Sequence, residues 1–350
     1  MIDAVDLFCG AGGLTAGLVR SGVSVKAGYD LEPQCRHAYQ ENNGAEFVAK
    51  DVTDLEADEL MDWYEPGRVR LLAGCAPCQP FSSYNQGKDA KEDRKWPLLY
   101  AFRRLIHQTS PHLVTMENVP DVTKHKVYHD FVEALQEQGY HIWANTVACV
   151  DYGLPQQRRR HVLLASRLGE INLIPPSHAG NPVTVQEAIG HLPAVAAGER
   201  HPDDPLHRAA TLTPLNMRRI INSRQGGTWK DWPADLVAEC HRKESGRTYP
   251  SVYGRMRSDQ PGPTMTTLCY GFGNGRFGHP VQDRAITLRE AAILQSFPPD
   301  YEFMPADSIT FKAVGRMIGN AVPVRLGEVI GQTLVNHVAP FTNQEDEYWD

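Results

Sequence analysis

No apolar run in this 350-residue chain approaches the roughly 20 positions that a membrane-spanning helix needs. Nor is there a basic segment followed by an apolar one, since Met1-Ile2-Asp3 leads straight into a strand-like run. A cytoplasmic location without a membrane partner is therefore expected. A disulfide framework is missing as well. The seven cysteines are odd in number and spread from Cys9 to Cys269, which suits a reducing compartment. Cys75-Ala76-Pro77-Cys78 has no second C-x-x-C to complete a zinc site, so no metal is expected. Excess positive charge is lacking too, the net charge being −7. Only residues 200–260 lean the other way, with eleven Lys/Arg against seven Asp/Glu, a balance of +4. Such a stretch fits a nucleic-acid surface or an ordinary mixed one equally well.

What is present is the composition of a globular protein, 41% hydrophobic and 22% charged, with length enough for one large domain and a smaller one. In the first half, strand-like runs (Ala4–Phe8, Ser24–Tyr29, Val69–Ala73, Leu113–Glu117, Val162–Ser166) alternate with amphipathic stretches (Leu14–Ser21, Pro33–Asn42, Leu98–Gln108, Tyr128–Gln138). That rhythm predicts an α/β fold with a parallel sheet covered on both faces. Ligands of such sheets sit beyond the carboxyl ends of the strands, which directs attention to the residues there. From about Pro175 the chain turns rich in proline, glycine and histidine and the rhythm dissolves. A helical pattern returns at Leu288–Gln295 and Val322–Val335, and residues 343–350 form an acidic tail.

Asp6-Leu7-Phe8-Cys9-Gly10-Ala11-Gly12-Gly13 follows the first strand and opens the first helix. Glycines there let backbone N–H groups approach a ligand at the helix N-terminus. A dinucleotide fingerprint would need glycine where Thr15 stands, so nicotinamide binding is the weaker reading. Asp30 and Glu32 end the second strand, where a carboxylate reaches ribose hydroxyls. Asp51, after the next strand-like run, is placed to accept from an adenine amino group. A merely structural glycine turn is the competing reading of this loop.

Gly74-Cys75-Ala76-Pro77-Cys78-Gln79-Pro80-Phe81-Ser82 lies just past the fourth strand-like run. A redox Cys-x-Pro-Cys pair would continue into a helix, and Pro80 would break it. A lone nucleophile at Cys78 remains, with Cys75 as bulk and the polar stretch to Arg94 as a lid or binding loop. Glu117 ends the fifth strand, where a carboxylate is costly unless it has a partner or a task. Arg158, Arg159 and Arg160 precede the last strand; taken alone they are equally a solvated turn.

In this order the blocks resemble the DNA (cytosine-5)-methyltransferase family over nearly the whole chain. Asp6–Gly13 is similar to its cofactor loop, Pro77-Cys78-Gln79 to its nucleophile block, and Glu117-Asn118-Val119 to its acid block. Gln156-Gln157-Arg158-Arg159-Arg160 resembles its glutamine–arginine block. Leu288-Arg289-Glu290 through Phe297-Pro298 and Gly319-Asn320-Ala321-Val322-Pro323 resemble the last two. Cys75-Ala76, where the family often has prolines, and Asp30 in place of glutamate are the departures.

The resemblance implies a Rossmann-like, S-adenosylmethionine-dependent methyltransferase domain (residues 1–176 and 310–342) with a smaller loop-rich target-recognition domain (177–309). It implies Cys78, Glu117, Arg158 and Arg160 as catalytic residues. Cofactor contacts would come from Phe8, Gly10, Gly12, Gly13, Asp30, Leu31, Asp51, Val52, Pro77, Leu98, Asn320 and Val322. Gln79 and Ser82 would close over the flipped base, while the loops and local positive balance of residues 177–285 make Arg218, Arg219, Arg224, Arg255, Arg257, Thr266 and Thr267 the candidates to meet DNA, with most of the arginines on phosphates. A monomer acting on double-stranded DNA is expected, with a cognate restriction endonuclease as candidate partner. The family's RNA-modifying branch carries a Cys-Phe-Thr motif, for which Leu268-Cys269-Tyr270 is the nearest approach. A catalytically dead homologue would lack Cys78 or Glu117.

Overall fold

The computed structural model describes residues 1–77, 97–248 and 250–341. The chain divides into two compact units, one of Met1–Ala148, Arg159–Pro176 and Val322–Asp350, the other of Cys149–Arg158 and Ser177–Ala321.

In the first unit, apolar runs form strands Ile2–Leu7 (β1), Ser24–Asp30 (β2), Glu46–Ala49 (β3), Val69–Gly74 (β4), Leu113–Asn118 (β5), His141–Ala148 (β6) and Arg159–Ser166 (β7). They make one seven-stranded sheet in the order β3-β2-β1-β4-β5-β7-β6. β1 to β5 pair in parallel, while β7 runs against both β5 and β6. The wholly parallel sheet read from the sequence is thus corrected at one strand. β6 carries no clean alternation, because most of its residues are half-buried or exposed. It was not legible as a strand.

Helices Gly13–Arg20 (α1), Arg36–Asn43 (α2), Ala57–Met61 (α3), Pro97–Thr109 (α4) and Lys126–Glu137 (α5) lie between the strands. Leu99, Phe102, Leu105 and Ile106 of α4 and Val127, Phe131 and Leu135 of α5 pack with Val5, Leu7, Leu72, Val114 and Met116 of the sheet in one core. Burying a side chain of this size contributes about 1.5–3 kcal/mol, so the strand ends that this core fixes are held firmly.

The second unit has short helices Val185–Ile189 (α6), Pro214–Ile221 (α7), Glu239–Arg242 (α8), Leu288–Leu294 (α9) and Phe311–Asn320 (α10) among long irregular stretches. Thr184 and Thr287 cap α6 and α9 with reciprocal Thr–Glu boxes. Buried ion pairs supplement its small apolar clusters: Arg284 donates to both oxygens of Glu290, each at 2.7 Å. The chain re-enters the first unit as Val324–Val338 (α11), which packs along α1, Ser21 Oγ donating to Glu328 O at 3.0 Å. Two segments group differently from the expected boundaries. Residues 149–158 and 310–321 belong to the second unit, because Gln156 and Arg158 donate to its backbone and α10 packs on α9.

Candidate active site

The carboxyl ends of β1, β2, β4 and β5 and the start of the reversed β7 all fall on one edge of the sheet. The register sets Leu7 beside Gly74, Gly74 beside Met116, and Glu117 opposite Val162. Residues of β7 two apart share a face. Arg160 therefore points to the side where Glu117 lies, and its Nε is 2.7 Å from Glu117 Oε1. Both side chains are largely buried. The pair is an ion pair of poor angle, and Glu117 Oε1 has no aligned hydrogen bond among the described residues. A buried, hydrogen-bond-hungry carboxyl oxygen at a strand end is what a donor on a bound ring would satisfy.

Gly74-Cys75-Ala76 leaves β4 strapped on both sides. Cys75 N donates to Leu7 O at 3.2 Å, and Asn118 Nδ2 donates to Ala76 O at 3.1 Å. Asn118, which the sequence reading left without a role, thereby aims the segment entering Pro77. Cys78, Gln79 and Ser82 lie outside the described residues. Burial, then the Glu117 and Asp6 carboxyl groups, push the Cys75 thiol well above its usual range. Cys75 is therefore a poor thiolate. Cys75→Ala is expected to keep at least about a third of wild-type methyl transfer, within the small effects of most substitutions away from the reacting atoms. Loss on the scale of a nucleophile deletion would restore the paired-cysteine reading.

The glycine loop is tightly bent. Phe8 and Gly10 have φ of 60° and 52°, and Gly12, at φ 86°, caps α1 in the left-handed region. Phe8 pays for that conformation and persists because its ring packs on the sheet core. Asp30 Oδ2 accepts from Gly10 N at 2.9 Å and Oδ1 from Glu32 N at 2.8 Å, which ties the loop to the end of β2. A Cβ on Gly10 would enter open space, so the outer face of the loop is clear. Leu31 is 67% exposed beside it. Asp51 Oδ1 accepts from Thr53 N and Thr53 Oγ1 and caps the turn Val52–Asp54. Val52 is buried, Leu98 half-buried, Pro77 exposed, Gly12 and Gly13 buried. Val322 is buried in the first unit, whereas Asn320 is an exposed residue of the second.

Beneath the loop the structure holds a group the sequence reading passed over. Thr15 Oγ1 donates to Asp6 Oδ2 at 2.7 Å and lies 3.1 Å from the Tyr39 hydroxyl. Burial raises the Asp6 carboxyl to about 7, with a smaller push from Asp30 against the Thr15 hydrogen bond. An acid whose folded pKa exceeds its unfolded value favours the folded state at low pH. Its contribution is lost as pH rises from about 4 to about 7. Asp6→Asn should therefore gain stability relative to the wild type between pH 5 and 8, by several degrees in melting temperature. Parallel melting curves across that range would contradict this.

Three of the arginines expected to act at the site or on DNA are buried and hydrogen-bonded within the second unit. Arg158 is buried in the second unit and donates to Met265 O, Gly319 O and Ala321 O. In this arrangement it braces that backbone. Arg219 donates to Leu236 O and Asn216 Oδ1, its guanidinium 5.5 Å from the Trp232 ring and 5.1 Å from that of Tyr253. Arg255 donates to Ile220 O, His279 O and Gln282 O and pairs with Asp283. A buried guanidinium is costly unless its donors are met internally, and Arg219 and Arg255 place most of theirs on oxygens of the second unit. Arg218, Arg224 and Arg257 are exposed, each paired with one carboxylate: Asp235, Asp231 and Asp259. Such surface pairs are weak and yield readily to another anion. Thr266 is exposed and Thr267 half-buried.

The chain matches the family model of C-5 cytosine-specific DNA methylase over residues 2–336. It is 49% identical over 339 residues to the type II methylase M.HgiDII of Herpetosiphon aurantiacus, covering 95% of each chain. It is 31% identical to the type II methyltransferase M1.HphI of Haemophilus parahaemolyticus, covering 95% of this chain and 86% of that protein. Among solved structures, Spodoptera frugiperda DNMT2 superposes with a TM-score of 0.67 at 17% identity, covering 95% of this chain and 99% of that one. S. pombe Dnmt2 does so with a TM-score of 0.62 at 18% identity, covering 97% and 99%. At such identities these two speak for the fold alone.

Proposed function

This chain belongs to the C-5 cytosine-specific DNA methylase family and is a DNA (cytosine-5)-methyltransferase, and from that premise we propose how its residues divide the work. The observation that carries the assignment of roles is Glu117, buried at the sheet edge against Arg160, on the strand end whose Asn118 straps the entry to Cys78.

Carbon 5 of cytosine is a weak nucleophile. Addition of the Cys78 thiolate to carbon 6 turns the ring into an enamine whose carbon 5 can take a methyl group. Glu117 hydrogen-bonds ring N3 and the exocyclic amine as charge develops, which requires a carboxyl group that carries or shares a proton. Arg160 holds the ring carbonyl oxygen and orients Glu117. Loss of the carbon 5 proton to a base then lets Cys78 leave. The target atom is inaccessible in a duplex, so the cytosine is flipped out at a cost of a few kcal/mol. Gln79 and Ser82 are the proposed residues that close over it.

The methyl donor proposed is S-adenosylmethionine, which supplies an activated methyl group on a sulfonium. The first unit fits its adenosine part. The loop Phe8–Gly13 offers a clear outer face, Asp30 faces ribose hydroxyls, and Leu31, Asp51 and Val52 meet the adenine. Pro77, Leu98 and Val322 would complete that pocket. A role beside a restriction endonuclease acting on the same site is proposed from the type II relatives. Expression in a methylation-free host followed by genome-wide mapping should reveal 5-methylcytosine in one short sequence context. A genome without 5-methylcytosine would refute the reading.

A further inference from the structure

The first unit gathers charge a second time, at the end of the strands opposite the candidate active site. His112 immediately precedes β5, about 16 Å from Glu117 at the usual rise per residue. Leu71, Leu113 and Ser166 are in register across β4, β5 and β7. One step further out stand Arg70, His112 and Arg167, so the two arginines flank the histidine on neighbouring strands. Backbone contacts hold them there: Arg70 N donates to His112 Nδ1 at 2.9 Å, and Arg167 N to His112 O at 2.9 Å. At the usual strand spacing the Cα atoms of the two arginines lie about 10 Å apart. Both guanidinium charges bear on the buried His112 ring, which burial and then Arg70 and Arg167 hold at a pKa of about 4. Both bear likewise on the Tyr140 hydroxyl, and Arg70 on that of Tyr64. Those hydroxyls are committed to Pro111 O at 2.5 Å and Leu71 O at 3.0 Å. The interior side of the cluster is thus aromatic, while Arg70 is half-buried and Arg167 exposed.

The neighbouring carboxylates are already engaged. Asp3, beside Arg70 in the register of β1 and β4, lies 3.5 Å from Lys26 Nζ and 3.9 Å from Arg68 Nη1, and it accepts from Glu65 N. Glu65 pairs with Lys26 at 2.5 Å and with Arg68 at 2.9 Å. Arg70 and Arg167 make no ion pair and no side-chain hydrogen bond among the described residues, and Arg70 Nε is shut off from solvent without an acceptor. Like charges held this close repel, and an enclosed donor without an acceptor is costly. One anion bound by both guanidiniums relieves both costs.

We propose that Arg70 and Arg167 form an oxyanion-binding site, remote from the reacting centre, that takes a phosphate group, free or as a monoester. Two planar donor forks approaching from either side of His112 need an acceptor with oxygens facing both. A carboxylate presents one edge, whereas a tetrahedral phosphate presents oxygens to both forks and carries close to two negative charges near neutral pH. The site does not depend on the reading of the chain as a methyltransferase.

The test is the melting temperature of the full chain as inorganic phosphate or glycerol 3-phosphate replaces chloride at constant ionic strength, up to about 20 mM. Binding to the folded state should raise it saturably, by about 2–4 °C. Arg70→Gln and Arg167→Gln, made separately, should each reduce that shift to less than about a third. Arg167→Lys should retain only part of it, because an ammonium lacks the fork. Lys126→Gln, which removes one exposed charge at the start of α5, should keep the full shift. A response to the ester at least as strong as that to the free ion assigns the site to a phosphorylated small molecule, and a response to the free ion alone assigns it to inorganic phosphate. Either supports the site. A shift of equal size in the wild type and the arginine variants reflects the general exclusion of phosphate from protein surfaces and overturns the proposal. So does the absence of any shift in the wild type. Should Arg70→Gln fail to fold, Arg167→Gln, at an exposed residue, decides alone.

Discussion

Cys78→Ala should lower methyl transfer by at least about a thousandfold while leaving DNA binding largely intact. The size of the effect follows from the chemistry. Without addition at carbon 6 the ring never acquires a nucleophilic carbon 5, and no neighbouring group can take over the step. Cys75, three residues away, is disqualified by its surroundings: burial and the adjoining Glu117 and Asp6 carboxyl groups hold it as a thiol. DNA binding should survive because phosphate contacts by cationic side chains dominate affinity, and the substitution removes no cation. Transfer of labelled methyl groups to DNA, measured beside equilibrium DNA binding, checks both halves. Turnover above about a tenth of wild type would sink the nucleophile assignment, since nucleophile deletions cost orders of magnitude.

Glu117→Gln should cost about two to four powers of ten in turnover, the scale of a lost acid–base group. The amide keeps the shape of the carboxyl group and can still meet the exocyclic amine, but it cannot share a proton with ring N3. It also cancels the ion pair with Arg160, which is mostly buried, so part of the loss should appear as a misplaced Arg160. Cofactor affinity is the separating measurement. Asp30 and the glycine loop lie at the ends of other strands, so the dissociation constant of a cofactor analogue should stay within about threefold, below 1 kcal/mol. Unchanged turnover with weakened cofactor binding would put Glu117 in the wrong pocket.

The DNA-reading assignment is narrowed by what the arginines do in the folded chain. Of the five proposed from the local positive balance, Arg219 and Arg255 hold the second unit together through backbone carbonyls. Arg218, Arg224 and Arg257 remain exposed. A run of charges in sequence cannot distinguish these cases, because whether a guanidinium is buried depends on which carbonyls long-range packing brings around it.

The sequence by itself determined the chemistry-bearing ends of the strands. Apolar runs of strand length closed by Gly10–Gly13, Cys75–Cys78 or Glu117 are local patterns, and a parallel β1–β5 sheet sends such endings to one edge whatever the details of packing. Their order along the chain was enough to identify the family and its reaction. Only the tertiary structure decided that β7 runs antiparallel, and with it that Arg160 meets Glu117, because strand direction depends on pairing between distant segments. The same holds for Asp6, whose proton is held by burial under α1 and α2 rather than by anything beside it in sequence. It holds again for Gln156 and Gln295, 139 residues apart and joined amide to amide. Glutamine in a sequence is an ordinary polar residue. It becomes a structural clamp only where the fold removes water and leaves backbone groups that nothing else can satisfy.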